Sequence, residues 1–208
     1  MAAARRHERL LDLQQQGRHE GKSIEISVAD VSRNEDMERL AADTRQKFGG
    51  IEFMVYASGT NVKNRAMRDL NVPTWEHMVS VNLSGAYFAT KAVLPGMRAA
   101  GEGCLIYISS ISGLFPDASG PAYQAAKRGL VGLAHAILFE EKGNGIRTCA
   151  VCPGLVDTEI LEKRPVRPTP EVLKNALQPE DIADMVVAVA KLPPRAVVPE
   201  LQIVPARL

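Results

Sequence analysis

The chain has 208 residues, of which 46% are apolar and 24% charged, with a net charge of +1. That suits one soluble domain with a core of its own, residues 1–208, and gives no electrostatic reason to expect nucleic acid or a membrane as partner. Nothing approaches the roughly eighteen apolar residues of a membrane span and no signal-peptide core opens the chain, so the default compartment is the cytoplasm.

Residues 4–16 combine good helix formers with an apolar stripe of Leu10, Leu11 and Leu13, and Gly17 offers a stop. SIEISVAD alternates as a strand does and ends at Asp30. Residues 34–48 form a charged amphipathic helix closed by Gly49 and Gly50, and IEFMVYA is a second strand running into Ser58 and Gly59. Residues 73–100 read as helix with a bend. Residues 104–109 are an apolar, β-branched run typical of a strand buried on both faces, followed by a Ser-, Gly- and Pro-rich loop and a helix over 121–141. A strand over 146–152, a Pro-rich loop over 164–170, a helix over 179–191 and a short last strand in LQIVP complete the chain. Strands alternating with helices predict an α/β domain built on a parallel sheet.

Cys149 and Cys152 make a C-x-x-C, but within the strand IRTCAVC they point to opposite faces, and three cysteines make no disulfide framework. The four histidines lack ligand spacing, so no metal site is expected.

The chemistry gathers at the carboxyl ends of the strands, where Asp30, Gly59, Ser110 and Pro153 all fall and where parallel sheets bind their ligands. Tyr123 and Lys127 lie four residues apart on one helix face, near the end of the strand that leads to Ser110. A nearby ammonium favours phenolate, which makes a Tyr a better proton donor and acceptor, and a Ser hydroxyl can hold a carbonyl oxygen. That chemistry suits interconversion of carbonyls and alcohols.

These spacings resemble those of the short-chain dehydrogenase/reductase family: a Ser thirteen residues before the Tyr of Tyr-x-x-x-Lys, an Asn about forty residues upstream of that Tyr (Asn82 in VNLSG), and a Pro-Gly pair with a following Thr (Pro153, Gly154 and Thr158 in VCPGLVDTEI). The resemblance implies a doubly wound, Rossmann-like parallel sheet and an oxidoreductase that moves a hydride between a ketone or secondary alcohol and NADP, with NAD as the other possible cofactor. It implies that Tyr123 exchanges the proton, that Lys127 lowers its pKa and binds the nicotinamide ribose, that Ser110 orients the substrate oxygen and that Asn82 supports a water-mediated proton path. It further implies that Asp30 meets the adenine, unless it caps a helix. Arg5 and Arg6 would meet the 2′-phosphate of NADP, unless they are only an exposed helix start, and Pro153, Gly154 and Thr158 would lie at the nicotinamide end.

The chain departs from the family at two points. Tyr56, Ala57, Ser58 and Gly59 stand where Asn-Asn-Ala-Gly is usual, so Ala57 replaces an Asn that ties neighbouring strands. The Gly-rich turn that holds the pyrophosphate is absent, as if the first strand–helix unit and most of the second strand, roughly forty residues, were missing. In the family's strand order that loss would separate SIEISVA from IEFMVYA and leave two apolar edges unpaired. A coding sequence that begins before Met1, a shortened inactive product, or a rearranged sheet would each account for it, the first being favoured. Two functional readings follow: an oxidoreductase in a fuller-length form, or a non-enzymatic chain that associates with full-length subunits. Residues 159–178 are expected to cover the substrate. A homodimer or homotetramer is expected through the helices over 73–100 and 121–141, with Leu130, Leu133 and Ile137 serving either the sheet or the partner.

Overall fold

The computed structural model describes residues 1–207 as parallel strands with helices on both faces. In chain order the elements are β1 (Ala2–Ala4), α1 (His7–His19), β2 (Ile26–Val28), α2 (Asn34–Phe48), β3 (Phe53–Tyr56), α3 (Val72–Val79), α4 (Gly85–Ala100), β4 (Gly103–Ile108), α5 (Pro121–Glu141), β5 (Ile146–Pro153), α6 (Pro170–Leu173), α7 (Pro179–Ala190) and β6 (Glu200–Ile203). Between α3 and α4, within the span read from sequence as one helix with a bend, the helix continues through one π-helical turn, Ser80–Ser84.

β4 shows why these residues build a central strand. Its side chains alternate between two cores, with Leu105 and Tyr107 on one face and Cys104 and Ile106 on the other, all four at most 2% exposed. On the first face α4 and α5 contribute Val93, Met97, Leu130 and Ile137. On the second, α7 contributes Ile182 and Val189. Leu130 and Ile137 therefore serve the sheet and not a partner; Leu133 packs beside them, partly buried. Cys149 and Cys152 lie in opposite cores, as the strand period requires. Among the described residues no group of side chains is arranged to hold a metal ion, and no helix is long and apolar enough to cross a membrane.

The strands form two separate sheets, β1-β2 and β3-β4-β5-β6, parallel throughout. SIEISVAD contributes only Ile26–Val28, paired with Ala2–Ala4, and is not hydrogen-bonded to β3. A cavity of about 440 Å³ lies between the sheets, walled by Ala3 and Ala4 on one side and by residues 53–58 on the other, Ala57 among them. SIEISVAD and IEFMVYA thus lie in separate sheets. Every strand from β1 to β5 delivers its carboxyl end to the same side, followed respectively by Arg5, Asp30, Gly59, Ser110 and Gly154.

Candidate active site

Asn82 is the best-tied polar group at the strand ends. It lies in the π turn, is 0% exposed, donates from Nδ2 to the carbonyls of Met78 (2.8 Å) and Thr60 (3.0 Å), and accepts at Oδ1 from Thr60 N–H (3.0 Å). A single π turn of this kind re-aims a side chain that an unbroken α-helix would carry elsewhere. The loop after β3 is thereby fixed over the helix. A Cβ at Gly59 would stand 3.3 Å from Asn82 Oδ1 and 3.4 Å from Lys127 Nζ, so only a glycine leaves both groups open on that side.

α5 brings the other members in. Pro121 opens the helix, which places Tyr123 and Lys127 one turn apart with the ammonium 5.7 Å from the phenol ring centre. Lys127 is 3% exposed and donates to the Ile108 carbonyl (2.8 Å); burial pulls its pKa down to about 8. Ser110 accepts at Oγ from Ser112 N–H (3.1 Å) and donates to Ser112 Oγ (3.1 Å), and Ser112 in turn donates to Asp117 (2.6 Å).

The expected lowering of Tyr123 by Lys127 is corrected. Burial pushes the phenol up to about 12, the Ser110 hydroxyl acts downward against it, Asp117 adds to the rise, and the guanidiniums of Arg164 and Arg65 pull it back in part. Lys127 does not offset the rise, because its pKa of about 8 leaves it uncharged in the range where this phenol ionises.

The residues assigned to the cofactor divide. Arg5 lies near enough to Asp30 to lower that carboxyl, although the Ser32 hydroxyl, a donor at 2.6 Å, contributes more. Asp30 is not a helix cap: Arg33 holds that position before α2, and Asp30 accepts from Ser32 N–H (2.9 Å) in a local turn. Arg6 and Arg9 both pair with Glu159, at 2.9 and 3.0 Å. Thr158, next to Glu159, is exposed and its hydroxyl makes no hydrogen bond among the described residues. Pro153 ends β5, buried. At Gly154 a Cβ would meet Pro205 at 3.0 Å and Val204 at 3.2 Å, so the strand exit of β6 by itself asks for a small residue there.

Sequence reasoning missed three groups. Lys163 donates to the Thr60 hydroxyl (2.6 Å), Arg65 donates to the carbonyls of Val62 (3.0 Å) and Lys163 (2.5 Å), and Glu159 holds two arginines. Arg65 and Lys163 are 98 residues apart, and no periodicity or spacing within either segment announces the contact.

The model of the family described as short chain dehydrogenase matches residues 1–168. An uncharacterised oxidoreductase of Staphylococcus aureus (strain MRSA252) is 30% identical over 183 residues, covering 88% of this chain and 77% of the relative. Among solved structures, the closed form of serine dehydrogenase complexed with NADP+ superimposes with a TM-score of 0.87 at 29% identity, over 97% of this chain and 83% of that one. An alcohol dehydrogenase from the archaeon Thermococcus sibiricus, complexed with 5-hydroxy-NADP, gives 0.87 at 25% identity, over 99% and 85%.

Proposed function

This chain belongs to the short-chain dehydrogenase family, and we propose that it is an NADP-linked oxidoreductase interconverting a ketone and a secondary alcohol. The observation that carries the reading is the convergence of Ser110, Tyr123, Lys127 and Asn82 at the carboxyl ends of β3 and β4. Bound there, the nicotinamide supplies or receives the hydride. Ser110 Oγ holds the substrate oxygen, and the Tyr123 hydroxyl gives that oxygen its proton in reduction and takes it in oxidation. Lys127, fixed on the Ile108 carbonyl, presents its ammonium through the opening left by Gly59, which suits a ribose hydroxyl. Asn82 fixes Thr60 and so shapes the wall of that opening, from which a water-mediated proton path would start.

The residues present fit a nicotinamide dinucleotide at its nicotinamide end, where the gap at Gly59 would be filled by a Cβ. Asp30 and Arg5, which follow β2 and β1, would meet the adenine end. Arg6 reaches a 2′-phosphate only by leaving or sharing Glu159. The preference for NADP over NAD rests on these two arginines and on the NADP+ and 5-hydroxy-NADP carried by the two structural relatives. We place the protein in the cytoplasm, as a homodimer or homotetramer joined through the helices over 73–100 and 121–141, where Tyr87 (48%) and Phe139 (74%) are exposed.

NADPH oxidation followed by absorbance against a panel of ketones tests the reading. Tyr123→Phe should lower kcat by about 10²- to 10⁴-fold while the protein stays folded. Equal turnover by the variant would sink the assignment.

A further inference from the structure

The strongest unexplained feature is a buried cation. Arg65 is 9% exposed, yet among the described residues no carboxylate lies within salt-bridge distance of it. Its Nε and Nη2 are satisfied by the carbonyls of Val62 and Lys163, which are neutral acceptors, and Nη1 has no protein acceptor among the described residues. Burial disfavours the charge of this guanidinium and Asp117 offsets that only through space, so Nη1, which reaches solvent and which no protein group among the described residues satisfies, is open to an anion.

Its position says where the anion goes. The backbone of Gly120 packs so closely on Arg65 that a side chain there would collide with it, and Asn61 ties the same loop to the Ser119 carbonyl (3.2 Å). Gly120 is three residues before Tyr123, and Lys163, whose carbonyl Arg65 holds, precedes Arg164. Both guanidiniums act on the Tyr123 phenol. Asp117 is the acidic group facing the same space, already accepting from Ser112 (2.6 Å) and from the Ser119 backbone (2.8 Å).

We propose that the substrate carries a carboxylate, held by Arg65 and Arg164 beside the Tyr123 hydroxyl, so that the substrates are hydroxy acids and the corresponding oxo acids. Planar guanidiniums match a carboxylate in geometry. Asp117 would repel the second charge of a phosphate dianion, which favours the singly charged group. The inference rests on the oxidoreductase reading for the identity of the reacting group, but the anion site itself stands on the two guanidiniums.

The experiment therefore reads binding and needs no turnover. The protein without cofactor is titrated, by calorimetry or saturation-transfer NMR, with 2-, 3- and 4-hydroxybutyrate and with their methyl esters, which are uncharged. At least one acid should bind tenfold or more tighter than its ester. Arg65→Met should abolish that ratio and Arg65→Lys restore part of it, whereas a merely structural role for Arg65 would weaken acid and ester alike. Should Arg65→Met fail to fold, Arg164→Met, at a less buried position, should still lower the ratio. Equal affinity of acids and esters, no binding of any acid, a ratio untouched by the substitutions, or tighter binding of glycerol 3-phosphate than of every acid would each overturn the proposal. Separate loss of NADPH-dependent turnover with these ratios intact would remove the enzymatic reading and leave the anion site standing.

Discussion

At the scale of single residues, burial outweighs neighbouring charge. Lys127 is held below its ordinary pKa, at about 8. Because the unfolded chain still binds this proton up to about pH 10.4, folding releases it between those values, and stability rises with pH there, by at most about 1.4 kcal/mol per unit. Below pH 8 the cost of the buried ammonium is fully present. Chemical denaturation at pH 7.5 and 9.5 should show a stability gain in the wild type that is smaller in Lys127→Met; an identical gain in both would refute the assignment. Tyr123 moves in the opposite sense: its raised pKa favours the folded state until the unfolded phenol ionises near pH 10, after which that advantage falls away. Asn82 offers a test free of titration. Asn82→Ala removes three buried hydrogen bonds and leaves the Thr60 N–H and two carbonyls without that partner, so we expect a loss of roughly 2–4 kcal/mol in denaturant unfolding. A loss under about 0.5 kcal/mol, the scale of an ordinary surface change, would mean that water replaces the side chain.

At the scale of elements, the segment after β5 joins the parts of the site. Leu155, Leu161 and Ala176 give it a small core of its own, while Lys163 on Thr60 and Arg65 on the Lys163 carbonyl pin its first turn beside Tyr123. Exchanging residues 159–178 for those of another family member, with Glu159 kept because it holds Arg6, should change the ratio of kcat/KM between two ketones more than the ratio between NADPH and NADH. Unaltered ketone ratios after the exchange would rule it out. The long elements were legible from sequence because their ends carry strong signals: α2 stops at Gly49 in a left-handed conformation (φ 83°), and α5 starts at Pro121. β1 was not, since three alanines have neither period nor bulk and become a strand only by pairing with Ile26–Val28. The grouping of Tyr123, Lys127 and Ser110 was legible for the related reason that one strand, one loop and one helix bring them together. Arg65 was not, because its meaning depends on a burial that only tertiary contact creates.

At the scale of the whole molecule, the division into two sheets dictates which part opens first. The β1-α1-β2 unit shares no strand pairing with β3, and Phe53 and Val55 remain 50% and 47% exposed beside the intervening cavity. Its ties to the rest run through α2, where Ala41 enters the main core and Arg45 donates to the Ala92 carbonyl (3.1 Å), and through the pairs of Arg6 and Arg9 with Glu159. Those arginines are more than 60% exposed, so each pair is worth no more than about 1 kcal/mol and less in salt. By contrast β4 bonds to strands on both edges and is covered on both faces. Cooperative opening should therefore release β1 and β2 well before β4 and α5. In native-state hydrogen exchange the amides of residues 2–4 and 26–29 should exchange faster than those of residues 104–108, and added salt should widen the gap by weakening the Glu159 pairs. Equal protection of Ser27 and Ile106 at every salt concentration would show that α2 alone binds the two sheets into one cooperative unit, and that the cavity between them costs the fold nothing in local stability.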